Sequence, residues 1–205
     1  MNLSRPNVFN DWDEDKDSSN KSSVISSEEK RLFHIYGDIN AQNCADIANH
    51  IAIINMEDDE KEEREKDFKR KPIKIYISSY GGSVYDMWML IDTICASKTP
   101  VYTYCVGYAM SAAFQVFLSG HKRFIGPHAT LMYHQIYCWR SGKYQDLVDD
   151  REHTDLLNSQ IEKYVIKCSK LTQEDLDSIR EKKQDTYFTA EEAIERGLAD
   201  EIFGA

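Results

Sequence analysis

Ser111 and His134 are the residues whose types and surroundings best fit chemistry, and that chemistry is attack by an activated hydroxyl. An apolar, β-rich run, Val101-Tyr102-Thr103-Tyr104-Cys105-Val106, reaches Gly107. The small-residue stretch Ala109-Met110-Ser111-Ala112-Ala113 follows, and Phe114-Gln115-Val116-Phe117-Leu118 then runs to Gly120. This pattern predicts a strand ending at Gly107, a tight turn, and a buried helix with a serine in its first turn. A hydroxyl there lies beside free backbone N–H groups and the positive end of the helix dipole. Those conditions stabilise an oxyanion next to a nucleophile. Taken alone, a serine at a helix start is by default an N-cap.

A nucleophilic serine needs a base, and the base needs an orienting partner. Of the histidines, His134 ends the apolar run Ala129-Thr130-Leu131-Met132-Tyr133, where a polar side chain is costly unless satisfied or used. His121 and His128 fall in turns, and His34, His50 and His153 lie in elements without neighbouring chemistry. On its own, a histidine at such a strand end is more often a satisfied core residue than a base. A zinc site from His121, His128 and His134 fails on spacing and lacks a cysteine pair. Position does not single out an acid for the third role. Asp185 is marked only by its short segment of aromatic and β-forming neighbours.

These residues must be held by elements. Leu32-Phe33-His34-Ile35-Tyr36-Gly37 reads as strand and turn, and Ala45 to Met56 as a helix with Ile47, Ile51 and Ile54 near one face. Ile73-Lys74-Ile75-Tyr76-Ile77-Ser78 is a strand leading to the Gly81-Gly82 turn, where backbone can approach a ligand closely. Val84, Met87, Trp88, Ile91 and Ile94 mark the helix after it. Strand, glycine turn, helix thus occurs twice in succession, which implies a βα-layered fold with largely parallel strands. Functional groups of such folds collect at the carboxyl ends of the strands. The last third reads as helical: a long helix from about Tyr144 to Ser169, then helices begun by Thr172 and Thr189 with Asp175 and Glu192 three residues on, the last ended by Gly197. So long a helix in a 205-residue chain suggests that it projects and packs on a partner.

Composition bounds the rest. A length of 205 residues, 41% hydrophobic and 29% charged, describes one globular domain with appendages. A net charge of −10 argues against a nucleic-acid surface. No apolar run spans a bilayer, and no signal or transit peptide is visible, so a cytoplasmic protein is expected. The five cysteines lack metal-ligand spacing and read as reduced thiols. Residues 1–29 are polar and acidic and read as a disordered tail, with Phe9 and Trp12 as a possible docking element. Residues 57–70 read as a charged insertion, a solvated helix extension or loop.

Gly107-Tyr108-Ala109-Met110-Ser111-Ala112-Ala113 resembles the nucleophile segment of the Clp protease proteolytic subunit (ClpP) family, and Leu131-Met132-Tyr133-His134-Gln135 resembles its histidine strand. Ile77-Ser78-Ser79-Tyr80-Gly81-Gly82 is similar to its glycine turn. Asp185-Thr186-Tyr187-Phe188-Thr189-Ala190-Glu191-Glu192-Ala193 is similar to its aspartate segment, and the stretch on to Asp200 to its ending. Order and spacing agree from about residue 31 to the C-terminus. Ile136 stands where that family usually has proline, and Tyr137 to Ser141 lack its usual glycines.

The resemblance implies an α/β, ClpP/crotonase-type fold of repeated strand-turn-helix units over 30–205, with a projecting handle helix at 143–169. It implies a serine endopeptidase with Ser111 as nucleophile, His134 as base and Asp185 as its orienting acid. The backbone N–H groups of Gly81 and Ala112 would form the oxyanion hole. Gly82, Ser83 and Gln135 would bind a peptide lying extended between residues 81–85 and 136–142. It implies no metal or other cofactor. The expected partners are unfolded polypeptide, further copies in one or two stacked seven-membered rings, and an ATP-driven AAA+ unfoldase. Two other classes compete: a non-catalytic ring subunit, and a crotonase-type acyl-CoA enzyme using the same paired N–H groups. A membrane-anchored Ser/Lys peptidase is disfavoured by the lack of an anchor.

Overall fold

A computed structural model describes residues 31–204; the acidic tail expected at 1–29 lies outside the described residues. Its centre is a parallel sheet in the order β1 (Leu32–Tyr36), β2 (Ile73–Ser79), β3 (Val101–Met110), β4 (Lys122–Ile125) and β7 (Glu201–Ile202). The upper end of β3 also pairs in parallel with β5 (Thr130–Tyr133), which pairs antiparallel with β6 (Thr186–Phe188).

Strand periodicity sets the two faces. Phe33, Ile35, Ile73, Ile75, Ile77, Val101 and Cys105 point into the core at every second position. The alternate residues put a row of rings on the other face, with Tyr76 stacked on Tyr104 and Tyr104 on Phe124 at centroid distances of 4.6 and 4.5 Å. Helices α1 (Ala41–Arg64), α2 (Val84–Ala96) and α3 (Ala112–Leu118) cover the apolar face. In α1 the buried stripe is Ile47, Ile51, Ile54 and Asp58, one side of a helix. The helix continues through most of the charged stretch because Asp58 is tied down: Arg31 and Thr99 both donate to its carboxylate.

The strand carrying the serine differs from expectation. It does not stop at Gly107 but continues to Met110. Gly107 adopts φ +80° at an irregularity where the β2–β3 register jumps from Ile77–Cys105 to Ser79–Ala109. The glycine bends the strand instead of ending it.

Helix α4 (Tyr144–Cys168) has 25 residues and would measure roughly 37 Å. Only Ile161 and Val165 of it are buried, and Tyr144, Leu147 and Leu156 on its first four turns are exposed. Thr172 and Thr189 cap α5 (Gln173–Lys182) and α6 (Ala190–Glu195) in reciprocal boxes with Asp175 and Glu192, as their spacing predicts. Arg123 then fixes the C-terminal end to the sheet. It pairs with Asp200 at 2.6 Å and donates to the carbonyls of Cys168 and Gly197.

Candidate active site

Three strand ends converge. Met110 is in register with Met132 across β3 and β5, and Tyr133 with Thr186 across β5 and β6. Ser111 follows Met110, His134 follows Tyr133, and Asp185 precedes Thr186, so pairing delivers all three to one edge. Residues 23 and 51 positions apart in sequence meet because each sits one step beyond a paired position. The backbone at Ser111 is strained, with φ 52° and ψ −125°, a conformation that costs of order 1–3 kcal/mol. Its N–H donates to the Met132 carbonyl, and its own carbonyl accepts from Phe114, so the sharp strand-to-helix turn is held at both ends.

Ser111 does not cap α3 with its side chain. Its Oγ lies 2.8 Å from His134 Nε2, the contact a serine makes when a histidine is to take its proton. His134 Nδ1 faces Asp185 Oδ1 at 3.5 Å. That is longer than a direct hydrogen bond, and such contacts often tighten only when substrate is bound. Tyr187 Oη reaches Asp185 Oδ2, also at 3.5 Å, and the Asp185 side chain is 48% exposed.

The two glycines of the turn have separate duties. Gly81 has φ +111°, and a Cβ there would lie 2.8 Å from both the Met110 carbonyl and Ser111 Cβ, so only glycine lets this turn press on the serine. Its N–H, however, donates to Ser79 Oγ at 3.1 Å. The N–H expected to face an oxyanion is thus engaged within the turn. Gly82 (φ +152°) lies against Ile39 on one side and lines the cavity beside Ser111 on the other. Ser83 is also spent structurally. Its Oγ accepts from the Asp86 N–H to cap α2, its N–H donates to Ile39, and its carbonyl accepts from Met87. Residues 136–142 form no strand, and the Ile136 N–H donates to Asn158 of α4.

Two cavities flank His134. One, of about 250 Å³, is lined by Gly82, Met87, Ser111, Ala112, Gln115 and Ile161 among others. The second, of about 300 Å³, lies between Gln135 and Asp185 and reaches Lys183. Gln135 borders both. Sequence reasoning did not reach Gln115, Met87 or Ile161; the available signal was one polar residue, Gln115, inside the apolar run of α3. Burial pushes the Cys105 thiol up to about 12, which keeps it protonated and inert. Among the described residues no three His, Cys, Asp or Glu side chains stand close enough to hold a metal ion, and no helix is long and apolar enough to cross a membrane.

The sheet and its helices make an α/β fold in which a strained serine turn faces a histidine. Residues 16–205 match the Clp protease family. The chain is 30% identical over 180 residues to ATP-dependent Clp protease proteolytic subunit 1 of Rhodopirellula baltica, an alignment covering 85% of this chain and 72% of that protein. It is 36% identical over 141 residues to proteolytic subunit 4 of Rhodococcus jostii, covering 68% and 72%. It is 29% identical over 175 residues to the proteolytic subunit of Deinococcus radiodurans, covering 84% and 79%. The chain belongs to the Clp protease family and is a Clp protease-like peptidase.

Proposed function

We propose that this protein hydrolyses peptide bonds of unfolded polypeptides with Ser111 as nucleophile, His134 as general base and Asp185 as the acid that orients it. The observation that carries this reading is the Ser111 hydroxyl. It forgoes the cap of α3, sits on strained backbone, and meets His134 Nε2 at 2.8 Å. In the first step Oγ bonds to the scissile carbonyl carbon while its proton passes to Nε2. As the C–N bond breaks, His134 returns that proton to the departing amine, leaving an acyl-serine. Water repeats the sequence and releases the acid.

The tetrahedral oxyanion needs N–H donors placed beforehand. Ala112 opens α3, where backbone N–H groups have no intrahelical acceptor. Gly82 supplies the second donor in place of Gly81, since the Gly81 N–H is engaged by Ser79 and Gly82 faces the cavity. Each donor is worth about 3 kcal/mol of transition-state stabilisation. The exposed rings of Tyr137 and Trp139 and the outward apolar residues of α4 support assembly into rings, with α4 as the handle between them. An ATPase that unfolds substrates is the partner this assembly implies, and the unpaired thiols fit a cytoplasmic setting.

Cleavage of an internally quenched peptide tests the reading. The wild-type protein should turn it over, and Ser111→Ala should lose at least about a thousandfold in kcat/KM with unchanged assembly. Equal turnover by the two proteins would refute the assignment of Ser111.

A further inference from the structure

The cavity beside Ser111 has a floor that an apolar substrate side chain does not satisfy. Val84, Met87, Met132, Ile136 and Ile161 give it apolar walls, and Gln115 enters it from α3. Gln115 is only 3% exposed, and its Oε1 has no hydrogen-bond partner among the described residues. Among the described residues no hydrogen bond holds either end of this amide, so it can present a donor or an acceptor. An amide buried without a partner is expensive, and the cost is removed when an occupant supplies the missing bond. No carboxylate lines the cavity, so a cationic side chain would be buried without a counter-charge.

We propose that Gln115 is a specificity-determining residue. It selects, for the position just before the scissile bond, a side chain with an apolar stem and an uncharged polar head, with glutamine fitting best. This rests on the peptidase reading of Ser111. A glutamine carboxamide can form two complementary bonds with the Gln115 amide while its methylenes lie along Met87 and Ile161. Methionine has nearly the same length and shape but leaves the amide unpaired. A site built to hydrogen-bond its substrate discriminates against an analogue lacking the group far more strongly than an apolar pocket discriminates by size.

The experiment uses two internally quenched peptides that differ only in glutamine or methionine before the cleaved bond, with Ser111 labelling by a fluorophosphonate run alongside. Wild-type protein should favour the glutamine peptide about tenfold in kcat/KM, and Gln115→Met should reverse the order while still being labelled. A wild-type preference for methionine overturns the proposal, even if Gln115→Met fails to fold. So does an unchanged preference in a labelled Gln115→Met protein. Cleavage of neither peptide with no labelling at Ser111 fells the peptidase reading itself, and the pocket assignment falls with it. Labelling without cleavage of either peptide counts against the pocket assignment alone.

Discussion

At the scale of single residues, function rests on how one hydroxyl is spent. A serine at the start of α3 has two uses, as a cap or as a nucleophile, and its conformation separates them. With φ at 52° the Oγ is carried from the helix N–H groups toward His134. Asp185 faces the imidazole from a half-exposed position at 3.5 Å, a weaker contact than a buried acid would make. Replacing Asp185 by Asn should lower kcat about a hundredfold and leave KM nearly unchanged. Steady-state kinetics on a single peptide would check this; a loss confined to KM would place Asp185 in substrate binding. The serine and histidine were legible in the sequence because each interrupts an apolar run. Asp185 stood out only faintly by position, since acids are abundant in this chain, and was named through the family resemblance; its pairing across β5 and β6 is what brings it near His134. The engagement of the Gly81 N–H by Ser79 was equally hidden, because it depends on where that N–H points.

At the scale of elements, the strand-turn-helix alternation was readable from hydrophobic period and the turn glycines, and both capping boxes from a threonine with an acid three residues on. Gly107 misled because a glycine inside a β pattern can mark a bulge as well as an end, and nothing local distinguishes the two. The charged stretch after Met56 also concealed a tertiary role. Asp58 is fully buried and accepts hydrogen bonds from Arg31 and Thr99, joining α1 to the start of β1 and to the chain entering β3. Burial raises its carboxyl, but the hydrogen bonds from Arg31 and Thr99 outweigh that and hold it below the ordinary carboxylate range. A carboxyl depressed in the folded state adds stability above its unfolded value and loses it as pH falls through the folded one. Thermal unfolding should therefore be insensitive to this group near neutrality and weaken on the acid side below about pH 4. Asp58→Asn should cost about 3 kcal/mol at pH 7 by stranding Arg31, and should flatten the acid limb. A variant with wild-type stability at pH 7 would contradict the role given to this pair.

At the scale of the whole molecule, the single chain leaves large apolar side chains uncovered on α4 and on the segment before it. Tyr144 on α4 is 81% exposed, Tyr137 is 85% exposed, and Leu147 and Leu156 also face outward. Such a surface marks an interface. Native mass measurement should find a particle of seven or fourteen copies of the 23.8 kDa chain. A stable monomer would remove both the ring and the handle role of α4. Helix length was visible in the sequence, whereas which of its apolar residues face outward was not, nor was the irregular path of residues 136–142, which is set by contacts such as that of Ile136 with Asn158.

The most direct test of the account is covalent. Incubation of the assembled protein with a fluorophosphonate, followed by peptide mapping, should place one adduct on Ser111. Labelling should fall sharply in His134→Ala if the imidazole 2.8 Å away takes the hydroxyl proton, as proposed. An intact assembly with no adduct at Ser111, or with labelling indifferent to His134, would contradict the claim that this serine is the nucleophile.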